Sequence, residues 1–203
     1  MPSTGSVVMP QFDRAEIARQ PLQAEHCALL VIDIQEKLLP PIFNKETLVR
    51  NTQLLLRLAS ILSVPTTATT QYVKGLGPTV AGVSSLLPAE QEPFDKLEFS
   101  CFGSDRFCSS LKALPPARNT VLLCGMETHI CVMQTALAAL EKGYIVHVAA
   151  DAVGSRSEFN WKIGLERMRD AGCVISSTEM IMYELLRQSG TAAFKEMLKH
   201  LKG

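Results

Sequence analysis

Three residues have types and surroundings suited to nucleophilic catalysis at a carbonyl: Asp33, Lys96 and Cys131. Such chemistry needs a thiol, a group to take its proton and a charge to balance the pair. Asp33 closes CALLVIDI, the most apolar stretch of the chain. A carboxylate there is either a turn or capping group, or a general base or orienting carboxylate. Cys131 lies in GMETHICVMQTALAAL. A strand ending at Gly125 and an N-cap at Thr128 would put Cys131 at the third helical position, where the helix dipole favours thiolate. Taken alone, the same cysteine reads as a small core residue. Lys96, in PFDKLEFSCF, is by itself a solvated loop lysine and only beside the other two a catalytic cation. His129 stands two residues before Cys131. Two positions apart on a helix point to different faces, so no Cys–His pair is expected.

The elements that must bring these residues together show in the hydrophobic pattern. Strands are expected at CALLVIDI up to Asp33, VPTTATT from Val64, TVLLCG from Thr120, IVHVAAD from Ile145 and CVISS from Cys173, with a further one around Lys96 to Ser100. Leu48, Leu55, Leu58 and Leu62 form one helical stripe; Val132, Ala136, Ala139 and Leu140 form another that stops at Gly143. Ser155 and Glu158 have capping-box spacing ahead of Trp161, Leu165 and Met168, and Gly172 ends that helix. Phe194, Leu198 and Leu201 predict a last helix on the body. Apolar strands alternating with amphipathic helices give an α/β fold with a parallel sheet covered on both faces. Ligands of such sheets bind beyond the carboxyl ends of the strands, where strand order reverses. Asp33 and Cys131 both fall at such ends.

The rest of the sequence narrows the function classes. The 203 residues suit one domain, residues 25–203, preceded by a polar arm, residues 1–24. Lys plus Arg and Asp plus Glu are 20 each, so no basic excess offers phosphate contacts and nucleic acid is not an expected partner. No apolar run approaches the roughly 20 residues of a membrane helix. The N-terminus has no apolar core for secretion, and Asp13 and Glu16 argue against a transit peptide. Six cysteines without CxxC pairing, several in apolar stretches, read as reduced thiols of a cytoplasmic protein. GxSxG, GxxxxGK[ST], GxGxxG and HExxH are all missing, and four dispersed histidines suggest no metal cage. No cofactor is expected.

Taken in order, these segments resemble the isochorismatase-like cysteine hydrolases, and in particular their small single-domain branch. LLVIDIQEKLLP is similar to the family's first-strand signature, and QYVKGLGPTV to its TEQYPKGLGPT segment. KLEFSCF is similar to K-x-x-F-S-x-F, LLCGMETHICVMQTALAAL to G-[IV]-E-x-x-x-C-[VI]-x-x-T, and VHVAADAVGSRSE to a D-A-x-x-S-R stretch. The likeness runs from about residue 24 to the C-terminus. Thr70 and Val73 stand where the family carries Glu and Pro, and the D-x-H metal motif of the nicotinamidase branch has no counterpart. The resemblance implies a Rossmann-like α/β/α fold with six parallel strands in the order 3-2-1-4-5-6. It implies an Asp33–Lys96–Cys131 triad, a cis peptide between Met126 and Glu127 that aims backbone N–H groups at an oxyanion, and Gln35 and Gln71 against the substrate. The implied activity is hydrolysis of a small amide or related carbonyl compound through a covalent acyl intermediate, in a dimer or tetramer. The alternative is a weakly catalytic ligand-binding or scaffold protein on the same fold.

Overall fold

In a computed structural model, residues 19–89 and 92–201 are described. Six parallel strands form one sheet in the order β3-β2-β1-β4-β5-β6. They are β1 (Cys27–Ile32), β2 (Thr66–Gln71), β3 (Phe94–Lys96), β4 (Thr120–Met126), β5 (Ile145–Gly154) and β6 (Val174–Ser176). Every residue of β1 and β4 is buried, as continuous apolar runs in the middle of a doubly covered sheet must be. Six longer helices supply the cover: α1 (Lys45–Ile61), α2 (Asp105–Lys112), α3 (Met133–Glu141), α4 (Glu158–Ala171), α5 (Thr178–Leu186) and α6 (Ala192–Leu201). Helices α1, α5 and α6 pack through Leu48, Leu55, Leu58, Ile181 and Met197 against one face of the sheet. Phe107 of α2, Ala136 and Ala139 of α3 and Leu165 and Met168 of α4 pack on the other. This is the three-layer Rossmann-like α/β/α architecture, with the order reversing between β1 and β4.

Several local expectations shift by a few residues, each for a physical reason. Lys96 ends β3 instead of beginning a strand, because residues 97–100 bend into a 3-10 turn, Cys101–Gly103, whose Phe102 N–H is taken by Ser100. The cap of α4 is Ser157, which accepts from the Asn160 N–H; Ser155 is instead wholly buried, 3.0 Å from Nδ1 of His129. Gly143 and Gly172 do end their helices in the left-handed region. Of the expected arm, residues 1–18 lie outside the described residues. Leu22 belongs to the core, its N–H donating to Glu184. Among the described residues, no helix is long and apolar enough to cross a membrane.

His147 sits in β5 on the face that carries Leu122 and Ala149, and its Nδ1 has no hydrogen-bond partner. Burial lowers its pKa from 6.5 to about 4. The neutral form is therefore the folded form, and stability is complete above the ordinary pKa and lost as pH falls through the folded one. We expect up to about 3 kcal/mol to be lost between those values, and His147→Leu to flatten that slope in urea titrations at stepped pH.

Candidate active site

The site lies where β1 and β4 end side by side. Gly125 makes the approach possible: a Cβ there would come within 2.0 Å of the Ile32 carbonyl oxygen, and its φ of +120° suits glycine alone. The pairing of β4 with β5 shifts register at the same point. Asp33 follows directly, in the left-handed region at φ +52°. A non-glycine residue holds such a backbone only when its surroundings over-determine it, and here they do.

Both Asp33 carboxylate oxygens are taken. Oδ1 accepts from the Thr69 hydroxyl at 2.7 Å and Oδ2 from the Lys96 ammonium at 2.7 Å. The two charged side chains have no solvent exposure. Lys96 gives a second proton to Oε1 of Gln71 at 2.8 Å, so one of its three donors remains. Burial pushes the Lys96 ammonium down, but the Asp33 charge and its hydrogen bond oppose this and the net shift is upward. The two form a buried salt bridge.

Cys131 stands beside this pair, buried in a π-helical turn, Thr128–Val132, which runs into α3. This corrects the sequence reading at two points. Thr128 is not a cap: Glu127 precedes the turn, no side chain caps it, and the Thr128 hydroxyl is unpartnered. Nor is the thiol acidified by a helix dipole. Burial pushes it up, the Asp33 charge pushes the same way, Lys96 opposes, and a hydrogen bond to Asp33 and the nearby Cys101 raise it further. A local dipole of about half a charge loses to desolvation and a full negative charge. The resting group is a thiol hydrogen-bonded to the carboxylate.

The peptide between Met126 and Glu127 is cis. The Glu127 carboxylate accepts from both the backbone N–H and Nε of Arg156, at 3.0 and 3.1 Å. Gln35, fully buried, donates to the carbonyls of Gln71 and Gly77 and accepts from the Gln71 N–H. Gln71 donates to the Leu97 carbonyl while accepting from Lys96. Both amides hold the ends of β2 and β3 together.

Sequence reasoning missed Thr69, Cys101 and Thr135, all buried around Asp33. A signal existed in TTATT, because polar residues inside a doubly covered strand must find partners. Cys101, inside the quoted Lys96 motif, carries no such mark.

The buried ion pair generates a stability prediction. Lys96→Met should cost about 3–5 kcal/mol, since it strands a buried carboxylate, and adding Asp33→Asn should recover much of that loss. Urea denaturation of the two single variants and the double variant measures the coupling; strict additivity would show that the pair contributes nothing jointly.

The isochorismatase-domain family model matches residues 27–180. A secreted isochorismatase effector, Isc1 of Phytophthora sojae, is 39% identical, covering 86% of this chain and 83% of its own. Isochorismatase domain-containing protein 2 of Danio rerio is 38% identical, covering 89% of each. Among solved structures, the MAR1 ribonuclease of Caenorhabditis elegans superimposes with a TM-score of 0.83 at 34% identity, over 91% of this chain and 93% of that one. YcaC of Pseudomonas aeruginosa, carrying covalent acrylamide, gives 0.81 at 25% identity over 90% and 92%. YcaC of Escherichia coli, an octameric hydrolase of unknown specificity, gives 0.82 at 25% over 89% and 90%. With its sheet order, its site at the β1–β4 crossing and these matches over most of its length, the chain belongs to the isochorismatase family of hydrolases.

Proposed function

We propose that the protein hydrolyses a small amide or related carbonyl compound, with Cys131 as nucleophile and Asp33 as its base. The observation that carries this reading is a buried carboxylate, held ionised by Lys96, acting as hydrogen-bond partner of the Cys131 thiol. As sulfur attacks the carbonyl carbon, its proton passes to Asp33, so the thiolate exists only during attack. With Asp33 neutralised, the Lys96 charge faces the sulfur and the developing oxyanion. Backbone N–H groups of Glu127 and Cys131 stabilise that oxyanion, as the family resemblance implies. Collapse breaks the C–N bond and returns the Asp33 proton to the leaving amine. A water then attacks the thioester, gives a proton to Asp33 and releases the acid, and the thiolate regains the proton. Covalent acrylamide in the P. aeruginosa relative supports a reactive nucleophile on this fold.

A second reading comes from the ribonuclease name of the C. elegans relative. The site favours the carbonyl reading: Lys96 has no exposed surface for a phosphate to reach, and its charge is already matched by Asp33. Cys27, Cys101, Cys108, Cys124 and Cys131, none of them in a disulfide, support a reducing compartment, which we take to be the cytoplasm. We also propose a homo-oligomer, a dimer or tetramer, on the exposed Leu97, Phe99, Phe159 and Ile163 and on the octameric E. coli relative. Light scattering at micromolar concentration should give a multiple of the chain mass, and a pure monomer would refute assembly.

Acrylamide should add to Cys131 in the wild type and not in Cys131→Ala, as read by intact mass and peptide mapping. A scaffold on the same fold would form no adduct. Because the thiol is raised, iodoacetamide labelling of Cys131 should keep accelerating past pH ~8.5, the ordinary cysteine value. A plateau near neutrality would instead show a preformed thiolate.

A further inference from the structure

Asp33 has a second, unassigned set of partners that leads away from Lys96. The Thr69 hydroxyl owns one proton, and at 2.7 Å from Asp33 Oδ1 it must donate it, since a carboxylate can only accept. Sγ of Cys101 lies 3.8 Å from the same hydroxyl oxygen. With the threonine proton committed, the hydrogen in that contact comes from the Cys101 thiol. The Cys101 backbone N–H in turn donates to Oγ1 of Thr135 at 3.0 Å. Thr135 lies in α3, four residues beyond Cys131 and so one turn along the same helical segment. The chain of contacts thus starts at the base just after β1, crosses β2 and the turn after β3, and ends on the helix that continues from the nucleophile's turn. All three members are almost wholly buried, so water cannot replace a lost link.

We propose that Thr69 and Cys101 are positioning residues of the reaction, forming a directed strap, Cys101 to Thr69 to Asp33, that aims the base at Cys131 and favours its ionised form. This rests on the assignment of Cys131 and Asp33 as nucleophile and base. The direction of the strap requires Cys101 to stay protonated, and burial, reinforced by the Asp33 charge, pushes its thiol up to about 11. Cys101 therefore serves as a hydrogen-bond donor and not as a rival nucleophile. The titratable groups that face Asp33 are Lys96 from β3, Cys101 from the turn after it and Cys131 from the turn after β4. Among the described residues, the Thr69 and Lys96 bonds supply Asp33 with its full-strength donors in the resting state.

The test is the rate of acrylamide addition at Cys131 against pH, followed by peptide mapping on the full chain. Thr69→Val keeps the shape of the side chain and removes its donor. It should move the acid side of the profile up by about one pH unit, so that labelling is roughly tenfold slower in mildly acid buffer and converges with wild type in alkali. Thr69→Ser should stay within about threefold of wild type. Cys101→Ala should shift the profile in the same direction by less, and Cys101→Ser should restore it. Superimposable profiles for Thr69→Val and Cys101→Ala would overturn the strap. So would a loss equal at every pH that serine fails to rescue. If Thr69→Val does not fold, the two Cys101 variants decide the matter between them. Wild-type protein that labels elsewhere than Cys131 would overturn the nucleophile assignment, and the strap with it; labelling at Cys131 with unshifted variants overturns the strap alone.

Discussion

A carboxylate and an ammonium, 2.7 Å apart and sealed from solvent, form the constraint around which the site is arranged. Desolvating either charge alone costs several kcal/mol, and their attraction repays it only with good geometry and every remaining lone pair satisfied. The surroundings meet that demand: Thr69 takes the other Asp33 oxygen and Gln71 takes a second Lys96 proton. Gln71 is itself fixed by Gln35 and by the Leu97 carbonyl. The ends of β1, β2 and β3 are locked together by the requirement that one ion pair be complete.

The same constraint explains the backbone around it. Asp33 and Tyr72, the residues that follow β1 and β2, both adopt the left-handed region without being glycine. Tyr72 is held there by its N–H, which donates to the Lys96 carbonyl, and its ring lies so close to Gly75 that a Cβ on that residue would overlap it. On the other side of the crossing, Gly125 lets β4 pass against the Ile32 carbonyl, which brings the Cys131 turn beside Asp33. Strain at strand ends thus serves to place a base, a cation and a thiol at one point.

Chemistry follows from that placement more than from any single residue. A cysteine near a helix start is ordinarily acidified. Here burial and the Asp33 charge outweigh the Lys96 charge, so the thiol is pushed up instead. In the proposed reaction, the carboxylate that suppresses the thiolate at rest is also the group that accepts its proton, with Lys96 balancing the charge. Such a buried site suits a small uncharged substrate better than a long polyanion.

How much of this could be read without coordinates depends on the range of the forces involved. Strand identity, helix faces, the C-terminal glycines of α3 and α4 and the parallel sheet all follow from local hydrophobic period and backbone preference, and the sequence by itself determined them. Ordered motifs around Asp33, Lys96 and Cys131 were equally legible, because each lies within one short segment. The tertiary structure alone decided the partners. Lys96 meets Asp33 across 63 positions of chain, and Thr69, Cys101 and Thr135 come together from three separate segments. It also decided between Ser155 and Ser157 as the cap of α4, because His129 captured the first. Above all it set the state of the Cys131 thiol. The helix dipole acts within one turn and can be read locally, whereas burial and a facing carboxylate depend on what the rest of the fold packs around the sulfur.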